Sequence, residues 1–275
     1  MHATVEKIIK AMEVIAPIRL AETWDNPGLQ VGDSTWPVKK ILISLDPTPL
    51  VINYAAEESV DMLITHHPLL FQPLKAIDLS TPIGGVIGTA IQNSIAVYAA
   101  HTNLDSVSDG LNDMLAGRLE LKEVTVLSPH GNDAPNSPTG RQETGLGRIG
   151  NLPVPADLIS LCRTLKHVLD LDNVRLVGDE TRRVERIALC TGSGSSLLDR
   201  FYSSGADVFI TGDVRYHDAR DAENQGAALI DIGHFGSEHI MVGHLASRLT
   251  KILEKMFLDV EVLTYEFEKD PFVAV

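Results

Sequence analysis

Short apolar stretches of strand length alternate along the chain with longer segments of helical pattern. In the first half, residues 41–45 and 60–65 are apolar, and the segment between them has the pattern of a helix that ends near Glu57. Apolar runs of this length are typical of buried strands, and two parallel strands need a crossover connection, usually a helix. The pattern therefore predicts a βαβ unit near the start of the chain.

The same order of elements occurs again in the second half. Residues 187–191 and 206–211 are apolar runs on either side of a predicted helix, and Thr65 aligns with Thr211 without a gap in that strand. The remaining elements align in the same order: strand 95–100 with 228–233, helix 111–119 with 241–256, and strand 124–127 with 260–263. An ordered series of matches predicts an internal duplication.

The duplication predicts an α/β fold of two similar βα halves, with mixed, largely parallel sheets flanked by helices. The first half is residues 1–127 and contains the pair His66-His67, and the second half is residues 148–275. Residues 128–147 are rich in Pro, Asn, Ser and Gly, so we expect a loop or linker between the halves.

Composition and charge exclude several classes of protein. The 275 residues are 44% hydrophobic and 22% charged, as in ordinary globular proteins. The formal net charge of −14 repels phosphate backbones, and no basic patch stands out, so we expect no nucleic-acid partner. The two cysteines, Cys162 and Cys190, lie in separate apolar segments, which argues against a disulfide framework or a zinc-cysteine site.

The N-terminal segment gives an expectation about location. Residues 1–20 have the pattern of an amphipathic helix with charged positions, unlike the apolar core of a signal peptide. The chain also contains no apolar run long enough to span a membrane. We therefore expect a cytoplasmic protein without a membrane partner.

Residue types that bind metals follow three of the predicted strands. His66 and His67 come directly after the strand 60–65. The other two strand ends carry a histidine followed four residues later by a carboxylate, His101 with Asp105 and His234 with Glu238. In open α/β sheets ligands bind beyond the carboxyl ends of the strands. Imidazole and carboxylate together suit Zn²⁺, Mn²⁺, Fe²⁺, Co²⁺ or Ni²⁺.

Two adjacent histidines favour two metal ions over one. Neighbouring side chains in extended backbone diverge, so His66 and His67 more easily serve two ions a few ångströms apart. A bridging carboxylate, Glu238 or Asp105, would screen the repulsion between the two cations. The alternative is that histidines at strand ends simply cap backbone groups, which is common for a single histidine and less so for three strand ends together.

The segment 211–218 occupies the repeat position of Thr65-His66-His67 and contains Asp213 and His217. These two side chains are candidate substrate contacts or a general acid and base, and the alternative is that both are helix or turn caps.

Two glycine-rich segments carry less information. Residues 145–150 match G-x-G-x-x-G, but a polar loop precedes them and no helix pattern follows, so we expect a turn leading into an edge strand and no nucleotide site. Residues 24–32 are turn-rich with one large aromatic, Trp24, and are compatible with a lid or a subunit contact.

Taken together, these motifs closely resemble the Nif-three-like dinuclear metal-centre proteins, many of whose bacterial members carry the name GTP cyclohydrolase I type 2 homologue. The resemblance covers nearly the whole chain. The segments that carry it are Trp24-Asp25-Asn26-Pro27-Gly28-Leu29-Gln30-Val31-Gly32, Leu63-Ile64-Thr65-His66-His67-Pro68-Leu69, Ala100-His101-Thr102-Asn103-Leu104-Asp105, Thr211-Gly212-Asp213 with His217, and Gly233-His234 with Glu238.

The resemblance implies a duplicated three-layer α/β fold, a homohexameric toroidal ring and two divalent metal ions per chain. It assigns His66 and His67 to one ion each, Asp105 to one, His234 to the other and Glu238 to a bridge, with His101 as a ligand or as a partner of a ligand. Longer family members carry an extra domain between the halves, so this chain resembles the short form.

The activity that the resemblance implies is hydrolysis. A metal-bound water would open the imidazole ring of guanine in GTP and release formate, while His101 or His217 moves protons. The same residues suit a two-metal phosphatase or phosphodiesterase acting on another small molecule. The alternative class is a non-enzymatic metal-binding scaffold or regulatory protein.

Overall fold

The computed structural model describes residues 2–130 and 144–273. The helices in these ranges are α1 Val5–Ile15, α2 Pro49–Glu57, α3 Pro82–Gln92, α4 Thr102–Ser106, α5 Leu111–Arg118, α6 Leu158–Val168, α7 Leu198–Ser204, α8 Tyr216–Asn224, α9 His234–Glu238 and α10 Met241–Lys255. The strands are β1 Gly28–Val31, β2 Lys40–Ser44, β3 Met62–Thr65, β4 Ala96–Ala99, β5 Lys122–Pro129, β6 Gly145–Asp157, β7 Arg175–Val177, β8 Arg183–Ser193, β9 Val208–Gly212, β10 Ala228–Asp231 and β11 Glu261–Thr264.

Two helices of the first half begin at Thr-Pro pairs. Thr48 Oγ1 accepts a hydrogen bond from Val51 N at 3.3 Å at the start of α2. The hydroxyl of Thr81 accepts from the backbone N–H of Gly84 at 3.1 Å at the start of α3. Threonine satisfies an otherwise unpaired N–H, and proline has no N–H to satisfy in the first turn, so these pairs define where both helices start.

One compact unit comprises the chain up to Leu104 together with Met241–Glu268. Its sheet has the strand order β1-β4-β3-β2-β11. Strands β4, β3, β2 and β11 are parallel, and β1 is antiparallel at the edge. Because β2, β3 and β4 are parallel, the residues that follow their carboxyl ends emerge at the same edge of the sheet.

The other compact unit comprises Asp105–Ile240 and the residues from Lys269 onward. Its sheet has the order β5-β6-β8-β9-β10-β7. Strands β8, β9 and β10 are parallel, whereas β5, β6 and β7 pair antiparallel with their neighbours. The fold class predicted from the sequence is confirmed, since both sheets are mixed and flanked by helices.

Matching hydrogen bonds support the predicted duplication. In the first unit, Asp61 Oδ2 accepts from the backbone N–H groups of Lys39 and Lys40 at 2.7 and 3.0 Å. In the second unit, Asp207 Oδ2 accepts from Glu185 and Arg186 in the same way, at 2.8 Å each.

The register of the strands corrects the sequence alignment by one residue. Thr65 pairs with Ala99 in the first sheet, and Thr211 pairs with Asp231 in the second. The position equivalent to His101 is therefore Gly233, and His234 lies one residue further along. His234 begins α9, whereas His101 directly precedes α4.

The compact units do not coincide with the two sequence halves, because strand β11 hydrogen-bonds to β2. Helix α10 and β11 come from the end of the chain yet belong to the first unit, whereas β5 belongs to the second sheet. Of the predicted loop 128–147, residues 131–143 lie outside the described residues. Its two ends are strand residues, since Pro129 pairs with Gly145.

Strand β6 also corrects the interpretation of the glycine-rich segment 145–150. The segment forms the first residues of strand β6 and is not the expected turn. Strand β6 lies between β5 and β8, so it is not an edge strand either. A Cβ at Gly145 would lie 2.3 Å from Ser128 O, so close pairing with β5 explains this glycine.

Each unit has its own hydrophobic core. In the first unit, apolar side chains of β2, β3 and β4 pack with α2 and α3, and Leu42, Leu63 and Val97 are fully buried. In the second unit, Leu189 and Ile210 are fully buried among residues of α5 and α6. Among the described residues, the helices are all too short or too polar to cross a membrane.

Candidate metal centre

The first unit gathers three histidines at one edge of its sheet. His66 and His67 follow β3, and His101 follows the adjacent parallel strand β4. The His66 ring centroid lies 5.1 Å from both the His67 and the His101 centroids. Each of the three offers a ring nitrogen within 4.8 Å of the other two, so together they can hold a metal ion.

Each of these rings is held through its Nδ1 atom by an oxygen. His66 Nδ1 lies 2.8 Å from the carbonyl oxygen of Ala100, and His67 Nδ1 lies 2.7 Å from Asp46 Oδ1. The Nδ1 atom of His101 lies 2.8 Å from Asp25 Oδ1. Histidines that bind metals almost always donate their other ring N–H to a carboxylate or a carbonyl, which leaves Nε2 as the ligand nitrogen.

Asp25 is a buried carboxylate that is held by several hydrogen bonds. Its side chain is 0% exposed and accepts hydrogen bonds from His101, from Thr102 N at 3.0 Å and from Thr102 Oγ1 at 2.5 Å. Burial raises the pKa of Asp25, but the hydrogen bonds from His101 and Thr102 outweigh it and lower the pKa to about 2. The carboxylate therefore stays ionised near neutral pH and orients the His101 ring.

The backbone around Asp46 positions the other two histidines. The carbonyl oxygen of Leu45 accepts from His66 N at 3.2 Å and from His67 N at 3.0 Å. Asp46 follows β2, so its side chain reaches His67 from the neighbouring strand.

In the second unit, His234 and Glu238 lie on one helical turn. Both belong to α9, which follows β10 through Gly233 at φ +76°. His234 Nε2 is 3.0 Å from Glu238 Oε2. His234 Nδ1 is 2.7 Å from Asp213 Oδ2. This ring therefore has an oxygen beside its Nδ1 atom, as each histidine of the first unit does.

Asp213 adopts a left-handed backbone conformation, with φ +54°. It directly follows β9, and the buried Asp231 accepts from the next backbone N–H, that of Val214, at 3.1 Å. Asp213 was predicted as a substrate contact or a general acid or base. Its contact in the structure is the imidazole of His234.

Glu238 is buried, with 3% of its surface exposed, and approaches a glycine closely. A Cβ at Gly192, which has φ +60°, would lie 2.1 Å from Glu238 Oε1. Gly192 N donates to Ser237 Oγ at 2.8 Å, and this hydroxyl donates to His234 O at 2.8 Å. The absence of a side chain at Gly192 therefore makes room for the carboxylate.

Asp105 and His217, the remaining predicted site residues, differ in their exposure to solvent. Asp105 is buried, and its carbonyl oxygen accepts from Asn112 Nδ2 at 3.0 Å. Asn112 is itself fixed, because its Oδ1 accepts from Thr191 N at 3.0 Å. His217 is exposed in the first turn of α8, and its ring lies against Tyr216 at 5.5 Å.

The sequence interpretation missed Asp25 and Asp46 as partners of His101 and His67. Asp46 follows the carboxyl end of β2, so the strand-end rule that selected the histidines also applies to it. Asp25 lies before β1 in a turn-rich segment, and only the antiparallel pairing of β1 with β4 brings it near His101.

The donor atoms fit a divalent transition metal. Imidazole nitrogens with oxygen-bonded partners, together with carboxylates such as Glu238, are the ligands that Zn²⁺ and Fe²⁺ bind in proteins. A model of the Duf34/NIF3 (NGG1p interacting factor 3) family matches residues 3–271. The chain belongs to this family.

Relatives within the Duf34/NIF3 family share both sequence and fold with the chain. A Clostridium acetobutylicum protein named GTP cyclohydrolase 1 type 2 homolog is 36% identical over 272 residues, covering 99% of each chain. The crystal structure of a Bacillus cereus protein related to NIF3 superposes with a TM-score of 0.91 at 28% identity, also covering 99% of each chain. The family resemblance stated from the sequence is therefore confirmed.

Some Duf34/NIF3 members are longer. A Listeria innocua relative, also named GTP cyclohydrolase 1 type 2 homolog, is 30% identical in an alignment of 360 residues that covers 95% of this chain and 96% of the relative. Since this chain has 275 residues, the relative carries additional residues that this chain lacks.

Proposed function

We propose that the chain is a divalent-metal-dependent hydrolase that opens the imidazole ring of the guanine in GTP and releases formate. The observation that carries the proposal is the common environment of four histidines, whose Nδ1 atoms all lie 2.7 to 2.8 Å from an oxygen. Relatives named GTP cyclohydrolase 1 type 2 homolog support the choice of substrate.

The proposed ligands of two metal ions are His66, His67, Asp105, His234 and Glu238, with His101 as a sixth candidate. When bound, the ions would lower the pKa of a water molecule to near neutrality and polarise the substrate. Zn²⁺, Mn²⁺, Fe²⁺, Co²⁺ and Ni²⁺ are all compatible with this mixture of imidazole and carboxylate ligands.

Three carboxylates outside the proposed ligand set orient the histidine rings. Asp25 and Asp46 hold the rings of His101 and His67, and Asp213 does the same for His234. Each carboxylate fixes the tautomer in which Nδ1 carries the proton. The contact with His234 supports a positioning role for Asp213. The substrate-contact or acid-base role expected for Asp213, and a proton-transfer role for His101 or for the exposed His217, stay predictions.

Metal content and product formation test this proposal together. The wild-type protein should retain about two ions per chain after purification without added metal. His66→Ala and Glu238→Gln should each lower the metal content and abolish formate release from GTP. His167→Ala, a substitution of a histidine in the last turn of α6, is the matched control and should leave both unchanged.

Other outcomes would point to the alternative functions. Hydrolysis of p-nitrophenyl phosphate without formate release from GTP would favour a phosphatase. Metal binding that raises the melting temperature without any turnover would favour a scaffold or regulatory protein. A wild-type protein that binds no metal after reconstitution would refute the metal-dependent hydrolase.

We also propose that the chain assembles as a homohexamer in the cytoplasm and binds a small-molecule substrate. The family supports the assembly, and light scattering of the purified protein tests it. A mass of one or two chains at micromolar concentration would contradict the hexamer.

A further inference from the structure

Two large aromatic side chains lie exposed beside His101. Trp24 is 58% exposed and Phe71 is 45% exposed. Their ring centroids are 6.0 Å apart, and they lie 6.2 and 6.3 Å from the His101 ring. All three pairs are edge-to-face, so the rings form a triangle next to a candidate metal ligand.

Hydrogen bonds fix the two aromatic residues relative to each other. Leu70, which precedes Phe71, donates its backbone N–H to Gln30 Oε1 at 3.1 Å. The carbonyl oxygen of Leu70 accepts from Asn26 Nδ2 at 2.6 Å. The segment that carries Trp24 therefore binds both polar backbone groups of the residue beside Phe71, and the pair is prearranged.

The segment of Trp24 also positions His101. Asp25 points inward and accepts the hydrogen bond from His101 Nδ1, while the neighbouring indole of Trp24 is exposed. A ligand that lies beside the His101 ring would thus meet two aromatic surfaces at a fixed place. Binding such a ligand needs little ordering of the protein, which favours affinity.

We propose that Trp24 and Phe71 form a stacking site for the purine base of the substrate. This inference rests on the proposed function and deepens it, because it assigns residues to the recognition of the base. Bases stack on aromatic side chains regardless of their hydrogen-bonding edges. The carboxylate of Asp25 beside His101 disfavours phosphate at this place, whereas an uncharged base carries no such penalty.

Tryptophan fluorescence tests the stacking site directly. The chain has two tryptophans, Trp24 and Trp36, so Trp36→Phe leaves Trp24 as the only tryptophan, and excitation beyond the absorption of tyrosine selects its emission. Guanosine should quench this emission in a saturable way, whereas ribose should not. In the Trp24→Phe variant, guanosine should leave the emission of Trp36 unchanged.

A second pair of variants isolates Phe71. In the Trp36→Phe background, Phe71→Ala should weaken guanosine binding by about tenfold, because stacking on an aromatic ring is lost. Phe257→Ala removes another exposed phenylalanine of the first unit, one that is 85% exposed, and should leave the affinity unchanged. Equal affinities of the Phe71 and Phe257 variants, or quenching by ribose alone, would overturn the inference.

Metal content and the mass of the assembly, measured on the same samples, show whether the stacking site or the metal-dependent hydrolase is refuted. Bound metal without guanosine quenching would refute the stacking site and leave the metal-dependent hydrolase standing. Guanosine quenching without bound metal would refute the hydrolase and keep the stacking site. A smaller mass of Trp24→Ala in light scattering, with a guanosine affinity equal to wild type in equilibrium dialysis, would show that Trp24 is a subunit contact, which also overturns the inference.

Discussion

Glu268 accepts a hydrogen bond from the backbone N–H of Asp46 at 2.9 Å, and Asp46 in turn holds the imidazole of His67 at 2.7 Å. The same carboxylate accepts from Leu45 N at 2.8 Å. A residue near the end of the chain therefore fixes the turn that orients a candidate metal ligand.

Substitution of Glu268 should weaken metal binding although Glu268 is no ligand. In Glu268→Gln the amide offers one acceptor where the carboxylate offers two, so the turn at Asp46 and with it the His67 ring become less well held. We expect about tenfold weaker metal affinity, the lower end of what lost partners of metal-binding histidines cause. Competition with a chelator measures this, and Glu261→Gln in β11, whose side chain is 59% exposed, is the control. Identical affinities of the two variants would contradict the role of Glu268.

Asp213 should act through His234. Asp213→Ala removes the partner of Nδ1 and should lower metal affinity by about ten- to a hundredfold. Asp213→Asn keeps an oxygen acceptor and tolerates the left-handed backbone at φ +54°, so its loss should be smaller. The order of affinities, wild type above Asn above Ala, is the result to look for in a chelator titration. Reversal of the two variants would exclude the positioning role.

Gly192 should be indispensable to the placement of Glu238. A Cβ at Gly192 would lie 2.1 Å from Glu238 Oε1, so Gly192→Ala should displace the carboxylate and lower the metal content. Gly205→Ala is a matched control, because Gly205 also has a left-handed backbone, at φ +73°, but a Cβ there meets nothing within 4 Å. Both variants should lose about 1–2 kcal/mol of unfolding free energy from the left-handed backbone alone. Full metal content in Gly192→Ala would disprove the steric argument.

Arg148 should be important for the stability of the second unit. Its guanidinium is almost completely buried, bonds both carboxylate oxygens of Asp113 and donates to the carbonyl oxygens of Val107, Gly145 and Gly147. Arg148→Met removes these hydrogen bonds and leaves the Asp113 carboxylate without its guanidinium partner, so we expect a loss of about 3 kcal/mol in urea unfolding. Arg220→Met breaks an exposed pair with Glu223 and should change stability by less than about 1 kcal/mol. Similar losses in both variants would contradict this view of Arg148.

Both cysteines should be unreactive in the folded protein. Burial raises the pKa of Cys162, and the negative charge of Glu180 adds to this. Burial also raises the pKa of Cys190, with a further contribution from Asp105 and Glu238. Because the thiolate is the reactive form, a higher pKa lowers its population near neutral pH. A colorimetric thiol reagent should therefore react only in guanidinium chloride, and rapid labelling of native protein at pH 8 would refute this.

Much of the fold followed from local pattern. Apolar runs separated by helical segments predicted parallel strands, and the geometry of parallel sheets places all their carboxyl ends at one edge. For that reason His66, His67 and His101 could be grouped from the sequence, and the ring distances of 5.1 to 5.7 Å in the first unit agree with this grouping.

The alignment of the repeat was accurate where it contained no gap. Asp61 and Asp207 are equivalent in sequence and make equivalent hydrogen bonds. Beyond the insertion, the sequence alignment makes His101 equivalent to His234. The strand register instead makes His101 equivalent to Gly233, one residue earlier. Histidine matched histidine in the alignment, but hydrogen bonding between strands determines register.

Local sequence patterns are enough to predict most helices and strands, the strand ends and the residue types that can bind metal, because these depend on neighbours within a few positions of the chain. The oxygen that holds each imidazole, and the pairing of β11 with β2, follow from long-range packing and are visible in the folded chain alone. Asp25 and His101, or Glu268 and Asp46, are separated by 76 and 222 positions, and no local pattern connects them. Contacts of this kind arise only when buried polar groups find partners in the packed chain.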